Sequence, residues 1–158
     1  MNKVFVINAS PIILLGKADL LNTISPLADL WIVPEKVVSE VEAKRPIAPY
    51  LAGLNRYSRE SAEQADPLVL SWDLGKGESE VLTIALQKEN ATVVLIDLLA
   101  RKCAKLLKLP LIGSIGLLVK AKHTGLIGSV RPEIEKLLEA GLRIDAETLN
   151  TIYSTVGE

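Results

Sequence analysis

Thr92-Val93-Val94-Leu95-Ile96-Asp97 is the stretch that decides the fold. It is apolar or β-branched without alternation and stops at a carboxylate, the pattern of a strand inside a parallel sheet with both faces covered. Working outward, a helix is predicted from about Leu98 to Lys108, then a short strand at Leu111-Ile112 that ends in Gly113-Ser114. A helix from about Ile115 to His123 follows, closed by Gly125 as its C-terminal cap. Two more are expected, Pro132 to Ala140 with Gly141 behind it and a last one capped by Asp145 and running to about Thr155. Upstream, the Gly75-Lys76-Gly77 turn feeds a helix from about Glu78 to Lys88, and Leu68-Val69-Leu70 reads as a strand before it. Residues 44 to 67 are polar and carry Pro46, Pro49 and Pro67, with a helical stretch expected around Tyr50 to Gln64. Trp31-Ile32-Val33 reads as a strand, and Pro34 opens a helix through Val37, Val38 and Val41 that ends before Pro46. At the start, Val4-Phe5-Val6-Ile7 is a strand, with Ser10 as N-cap and Pro11 at the first position of the helix that follows. Alternating strands and helices give an α/β sandwich around a mostly parallel sheet.

The chain has 158 residues, 49% hydrophobic and 23% charged, the length of one domain with an ordinary core. Eighteen Lys and Arg against nineteen Asp and Glu give a net charge of −1, which excludes a polybasic arm that coats nucleic acid by bulk charge. Six aromatic residues, Phe5, Trp31, Tyr50, Tyr57, Trp72 and Tyr153, are too few for a base-stacking platform. One cysteine, Cys103, and one histidine, His123, exclude a disulfide framework, a zinc finger and a His-rich metal site, so any metal is held by oxygen. Lys3 ahead of an apolar run imitates a secretion signal, but Asn8, Ser10 and Pro11 interrupt it. The expected location is the cytoplasm, with no membrane span.

In an open parallel sheet the crevice lies outside the carboxyl ends of the strands. Asn8, Ser10, Asp97 and Ser114 all follow predicted strands, and together they would make a polar pocket. Asn and Ser are also ordinary turn and cap residues there. Hard divalent cations want oxygen ligands, which turns attention to the carboxylates. Glu78 and Glu80 lie in the first turn of their helix, where acids also serve the helix dipole. Glu40 and Glu42 flank the apolar stripe of Val37, Val38 and Val41 on opposite edges, and periodicity does not choose between them. Arg101, Lys105 and Lys108 share a face of the helix after Asp97. His123, with Lys120 and Lys122, suits a helix C-terminus, Cys103 the core, and Trp31 and Trp72 packing.

Taken in order, Asn8-Ala9-Ser10-Pro11, the Pro34, Val37, Glu40, Val41 spacing, Gly77-Glu78-Ser79-Glu80 running into Ile84-Ala85-Leu86, Leu95-Ile96-Asp97 with Ala100-Arg101, and Gly113-Ser114-Ile115-Gly116 resemble the PIN domain family. The resemblance covers nearly the whole chain, in the branch that starts with a strand and Asn-x-Ser-Pro. It implies one PIN-like domain over residues 1–158, a three-layer α/β/α sandwich with a mostly parallel central sheet. It also implies a nuclease that places acidic residues around Mg²⁺ or Mn²⁺ and hydrolyses RNA phosphodiesters. Many such proteins are VapC-like toxins, homodimers held by a cognate antitoxin.

The resemblance places the family's first acid at Asn8, the second at Glu40, the third at Glu80 with Glu78 as neighbour, and the fourth at Asp97. It chooses Glu40 over Glu42. Asn8, Ser10, Glu40, Glu80 and Asp97 are then the expected catalytic residues, with Asn8, Glu40, Glu78, Glu80 and Asp97 as metal ligands and Ser114, Arg101 and Lys105 as RNA contacts. Two departures stand out: the amide of Asn8 removes one negative charge, which lowers cation affinity, and apolar Leu98 stands where relatives often carry another acid, which disfavours a two-metal site. The alternative reading is a PIN fold of weak or no activity that binds RNA or protein.

Overall fold

The apolar runs become the strands of one sheet. The structure, a computed structural model, describes residues 3–44, 48–54 and 57–158. Strands β1 (Val4–Ile7), β2 (Leu30–Pro34), β3 (Tyr57–Glu60), β4 (Ala91–Val94) and β5 (Leu111–Ile112) stand in the order β3-β2-β1-β4-β5. Every pairing is parallel, so the sheet that the sequence made mostly parallel is wholly so. The register sets Phe5 beside Trp31 and Thr92, and Val93 beside Leu111. A bond from the Leu95 amide to the Ile112 carbonyl, 3.2 Å, carries the β4–β5 pairing beyond the regular strand.

The helices are α1 (Ala9–Lys17), α2 (Leu21–Ile24), α3 (Glu35–Lys44), α4 (Ala48–Leu51), α5 (Pro67–Leu70), α6 (Lys76–Leu86), α7 (Leu98–Leu106), α8 (Ser114–His123), α9 (Arg131–Glu139) and α10 (Ala146–Thr155), with a 3₁₀ turn at Ser25–Leu27. They make the three-layer α/β/α sandwich. Phe5, Val6 and Ile7 of β1 and Val93 and Val94 of β4 are buried on successive residues, as strands covered on both faces must be. Trp31 is fully buried, stands edge-on to Phe5 with ring centroids 5.1 Å apart, and donates its indole N–H to the Ser25 carbonyl at 2.9 Å. Cys103 is buried in the core, and burial pushes its thiol pKa up. No helix among the described residues is long and apolar enough to cross a membrane.

Several local expectations change. Asn8, not Ser10, occupies the N-cap position of α1; its backbone is extended and its side chain makes no capping bond, while Ser10 sits inside the helix and is exposed. Pro34 closes β2 instead of opening α3. Leu68-Val69-Leu70 belongs to the short helix α5, because Asp66 accepts the Leu68 amide and Pro67 holds the first helical position. Tyr57–Glu60, placed in a helical stretch by the sequence reading, is the edge strand β3. Its polar, half-exposed run is easily overlooked, and among the described residues only β2 pairs with it. Residues 45–47, 55 and 56, which the reading also covered, lie outside the described residues. Helix α7 ends at Leu106, so Lys108 falls beyond it, at a positive φ of 59°, and does not share its face with Arg101.

Candidate active site

The direction of winding reverses between β1 and β4: one half of the sheet grows from β1 through β2 to β3, the other from β4 to β5. A doubly wound sheet opens its crevice outside the carboxyl ends of the strands at that point. Asn8 follows β1 there, and its amide is fixed by a 3.2 Å bond to the Val94 carbonyl of β4. The Asn8 side chain is 2% exposed, and its Oδ1 is a buried oxygen with no hydrogen-bond partner. Such an atom is costly to bury unpaired. It is the chemistry of a carbonyl oxygen kept for a ligand.

Asp97 follows β4 and caps α7, its Oδ2 accepting the Ala100 amide at 3.0 Å. It is exposed at the mouth of the crevice. Glu40 and Glu80 are set by a reciprocal exchange between α3 and α6. Glu40, on α3, accepts the Gly77 amide at 2.9 Å in the first turn of α6. Glu80, on α6, accepts the Lys36 amide at 2.8 Å in the first turn of α3 and the Ala62 amide at 3.2 Å beyond β3. Each helix thus lends a carboxylate to the electropositive start of the other. Gly77 has to be glycine for this contact, since a Cβ there would come within 2.5 Å of Glu40 Oε1.

The exchange separates the two acids of the Gly77-Glu78-Ser79-Glu80 motif. Two residues apart on a helix, they point to different sides. Glu80 is 2% exposed, with both oxygens taken by backbone amides and the Lys36 ammonium 4.0 Å away. Glu78 has no hydrogen-bond partner among the described residues, and its pKa is raised, first by burial, then by the charges of Asp97 and Glu40. Glu78 thus keeps a carboxylate free of backbone partners and within electrostatic reach of Asp97 and Glu40, whereas both oxygens of Glu80 are occupied.

Cationic clefts flank the acids. On the α3 side a cleft of about 530 Å³ is lined by Lys36, Ser39, Glu40, Ala43 and Lys76. On the β5 side a groove of about 600 Å³ holds Arg101 and Ser114. Lys105 is exposed on α7 and lines neither, and Ser10 lines a separate cavity of about 320 Å³ with Lys17 and Gly141. The sequence does not single out Lys36 and Lys76, which line the α3 cleft, or Arg143, which lines the β5 groove. Lys76 was legible as the cation between the two glycines that precede the acids; Arg143, far along the chain, carried no local signal.

The donors suit a hard divalent cation, since all are oxygens and one, Asn8 Oδ1, is buried without a partner. Among the described residues, no three His, Cys, Asp or Glu side chains converge as a ready-made metal cluster. The carboxylates surround the crevice without closing on one point.

A doubly wound α/β protein with oxygen donors at its switch point is the class that fold and crevice define. Within that class the chain belongs to the PIN domain family: the family model DUF3368, a PIN domain, matches residues 4–158. PIN domains are generally nucleases, and they generally work with divalent metals. No curated protein sequence matches the chain significantly.

Proposed function

We propose that the protein is a metal-dependent endoribonuclease, acting in the cytoplasm as the toxin of a toxin–antitoxin pair and assembled as a homodimer. The observation that carries the nuclease reading is the unpartnered, buried Asn8 Oδ1 at the switch point, on a sheet whose flanking acids include Glu78, its pKa raised by burial first and then by the charges of Asp97 and Glu40. In this reading Asn8 Oδ1, Glu40, Glu78 and Asp97 hold a Mg²⁺ or Mn²⁺ ion. The bound cation would neutralise the crevice toward a phosphodiester, polarise a phosphate oxygen and lower the pKa of an attacking water. Glu80 is a positioning residue: it fixes the start of α3, and through α3 the place of Glu40. Lys36 and Lys76 offset the acids on one flank and hold the strand by its phosphates. Asp97 serves twice, since its Oδ2 caps α7 while the rest of the carboxylate remains at the mouth of the crevice.

Calorimetric titration of Mn²⁺ and Mg²⁺, paired with RNA cleavage at each metal concentration, tests this reading. Asp97→Asn is the variant of choice because it keeps a capping oxygen and removes the charge. Metal binding that is lost in the variant, with cleavage that follows occupancy in the wild type, is expected. Full cleavage by Asp97→Asn would overturn the assignment.

A second reading, a PIN fold that binds RNA or protein without cutting, draws on two observations: the amide at Asn8, and the absence of a converged acidic cluster among the described residues. RNA binding with neither metal uptake nor cleavage at millimolar metal would favour it. Growth arrest on expression, relieved by Asp97→Asn, would favour the toxin.

A further inference from the structure

On the β5 side of the crevice, the groove of about 600 Å³ is bounded by the ends of β4 and β5, the start of α7, the start of α8 and the segment 142–144. That volume is in the range of small-ligand sites. Its walls are mostly apolar, with Ile112, Ile115, Leu142 and Ile144 among them, and the charged residues that line it, among the described residues, are Arg101 and Arg143. Asp145, next along the chain, spends its carboxylate on the Thr148 amide as the cap of α10. Arg101 is braced by an Nη1 bond to the Leu95 carbonyl at 3.0 Å and lies against Gly113, where a Cβ would come within 2.9 Å of the same nitrogen. Arg143 is exposed and without a partner among the described residues.

The same groove receives the start of α8. Gly113 occupies the N-cap position and supplies no side-chain cap, and the first bond of the helix runs from the Leu117 amide to the Gly113 carbonyl. The amides of Ser114, Ile115 and Gly116 therefore have no acceptor within the helix. A second feature makes this more than a helix end. Ser114 is 3% exposed, lines the groove, and its hydroxyl has no hydrogen-bond partner among the described residues. A hydroxyl that opens onto the groove from an otherwise buried residue, the helix-start amides and a braced guanidinium line one groove, and each of them can donate.

We propose that this groove is a subsite for one nucleotide of a single-stranded RNA, adjacent to the acids. Its phosphate sits on the α8 amides, the Ser114 hydroxyl and Arg101. Its base lies on the apolar wall of Ile112, Ile115, Leu142 and Ile144, with the planar Arg143 guanidinium against its face. Among the described residues no aromatic side chain lines the groove, so a guanidinium takes the part that a stacking ring has elsewhere. The choice of RNA rests on the nuclease reading, whereas binding here requires no metal.

The test is fluorescence anisotropy with a labelled RNA hexamer in EDTA, using the full chain, Arg143→Ala and Ser114→Ala, and an abasic hexamer of the same length. Arg143→Ala is expected to weaken RNA binding about tenfold, and Ser114→Ala about three- to tenfold, with melting temperatures unchanged. The abasic strand is expected to keep the Ser114 effect and lose that of Arg143, which separates phosphate from base. Wild-type affinity in both variants, or no binding of RNA without metal, would overturn the subsite. Binding with this pattern but no cleavage at any metal concentration would remove the nuclease reading and leave the subsite standing; cleavage with both variants binding normally would do the reverse.

Discussion

Glu78 bears the cost of the crevice. Burial and the charges of Asp97 and Glu40 hold its pKa above the ordinary 4.5, so ionised Glu78 weakens the fold at neutral pH. A carboxyl whose folded pKa is raised favours the fold below its unfolded pKa, and that contribution is lost as pH rises through the folded value. Glu78→Gln is accordingly expected to melt higher than the wild type at pH 7 and to melt with it near pH 4. Scanning calorimetry at the two pH values checks the sign; a variant less stable at pH 7 would contradict it. In the wild type, Mn²⁺ is expected to raise the melting temperature through the same carboxylate, and in Glu78→Gln much less. Gly77→Ala is the complementary change. A methyl 2.5 Å from Glu40 Oε1 must displace that carboxylate, so metal affinity is expected to drop tenfold or more by calorimetry while the fold persists.

Helices α3 and α6 are locked by their exchanged carboxylates, and breaking one arm is expected to loosen both. Glu80→Ala leaves the Lys36 and Ala62 amides without their acceptor, a cost of about 1–3 kcal/mol, or roughly 3–10 °C in melting temperature. Amide hydrogen exchange is expected to speed up in the first turn of α3 and around Ala62, and no acceleration there would refute the capping role. The far end of the chain has a comparable clasp. The Glu158 side chain accepts from the Lys122 ammonium at 2.7 Å, from the Val130 and Arg131 amides at 2.8 and 3.1 Å, and from the Ser129 hydroxyl, while Arg131 lies 3.9 Å over the Tyr153 ring. These donors, Lys122 foremost, lower its pKa from 4.5 to about 2. The clasp is therefore intact above about pH 4.5 and is lost as pH falls toward 2. The protection of the Val130 and Arg131 amides, measured relative to the intrinsic exchange rate at each pH, is expected to fall across that interval in the wild type and to be low already at pH 7 in Glu158→Ala.

The sheet concentrates the core around β1 and β4, and Trp31, buried between Phe5 and the Ser25 carbonyl, joins β2 to it. Trp31→Ala is expected to cost about 3–5 kcal/mol in denaturant unfolding, enough to threaten a domain of ordinary stability. The interiors of β1, β2 and β4 were legible because burial on two faces imposes an unbroken apolar pattern, β5 because Leu111-Ile112 is apolar although it stands at an edge, and most helix boundaries from their caps. Strand β3 was not, because Tyr57-Ser58-Arg59-Glu60 is mostly polar, half-exposed at the sheet edge, and reads like its surroundings. The polar residues beyond the strands were legible too: Asn8, Asp97 and Ser114 stand where the ends of parallel strands put them. Which carboxylate of the pair is taken up by backbone amides was not, for Glu78 and Glu80 have the same local character, and only the docking of α6 on α3 gives Glu80 the Lys36 and Ala62 amides and leaves Glu78 without a hydrogen-bond partner among the described residues. Local pattern specifies where a strand stops and what residue follows it. Side-chain partners across elements distant in sequence depend on how those elements pack, and no local pattern records that.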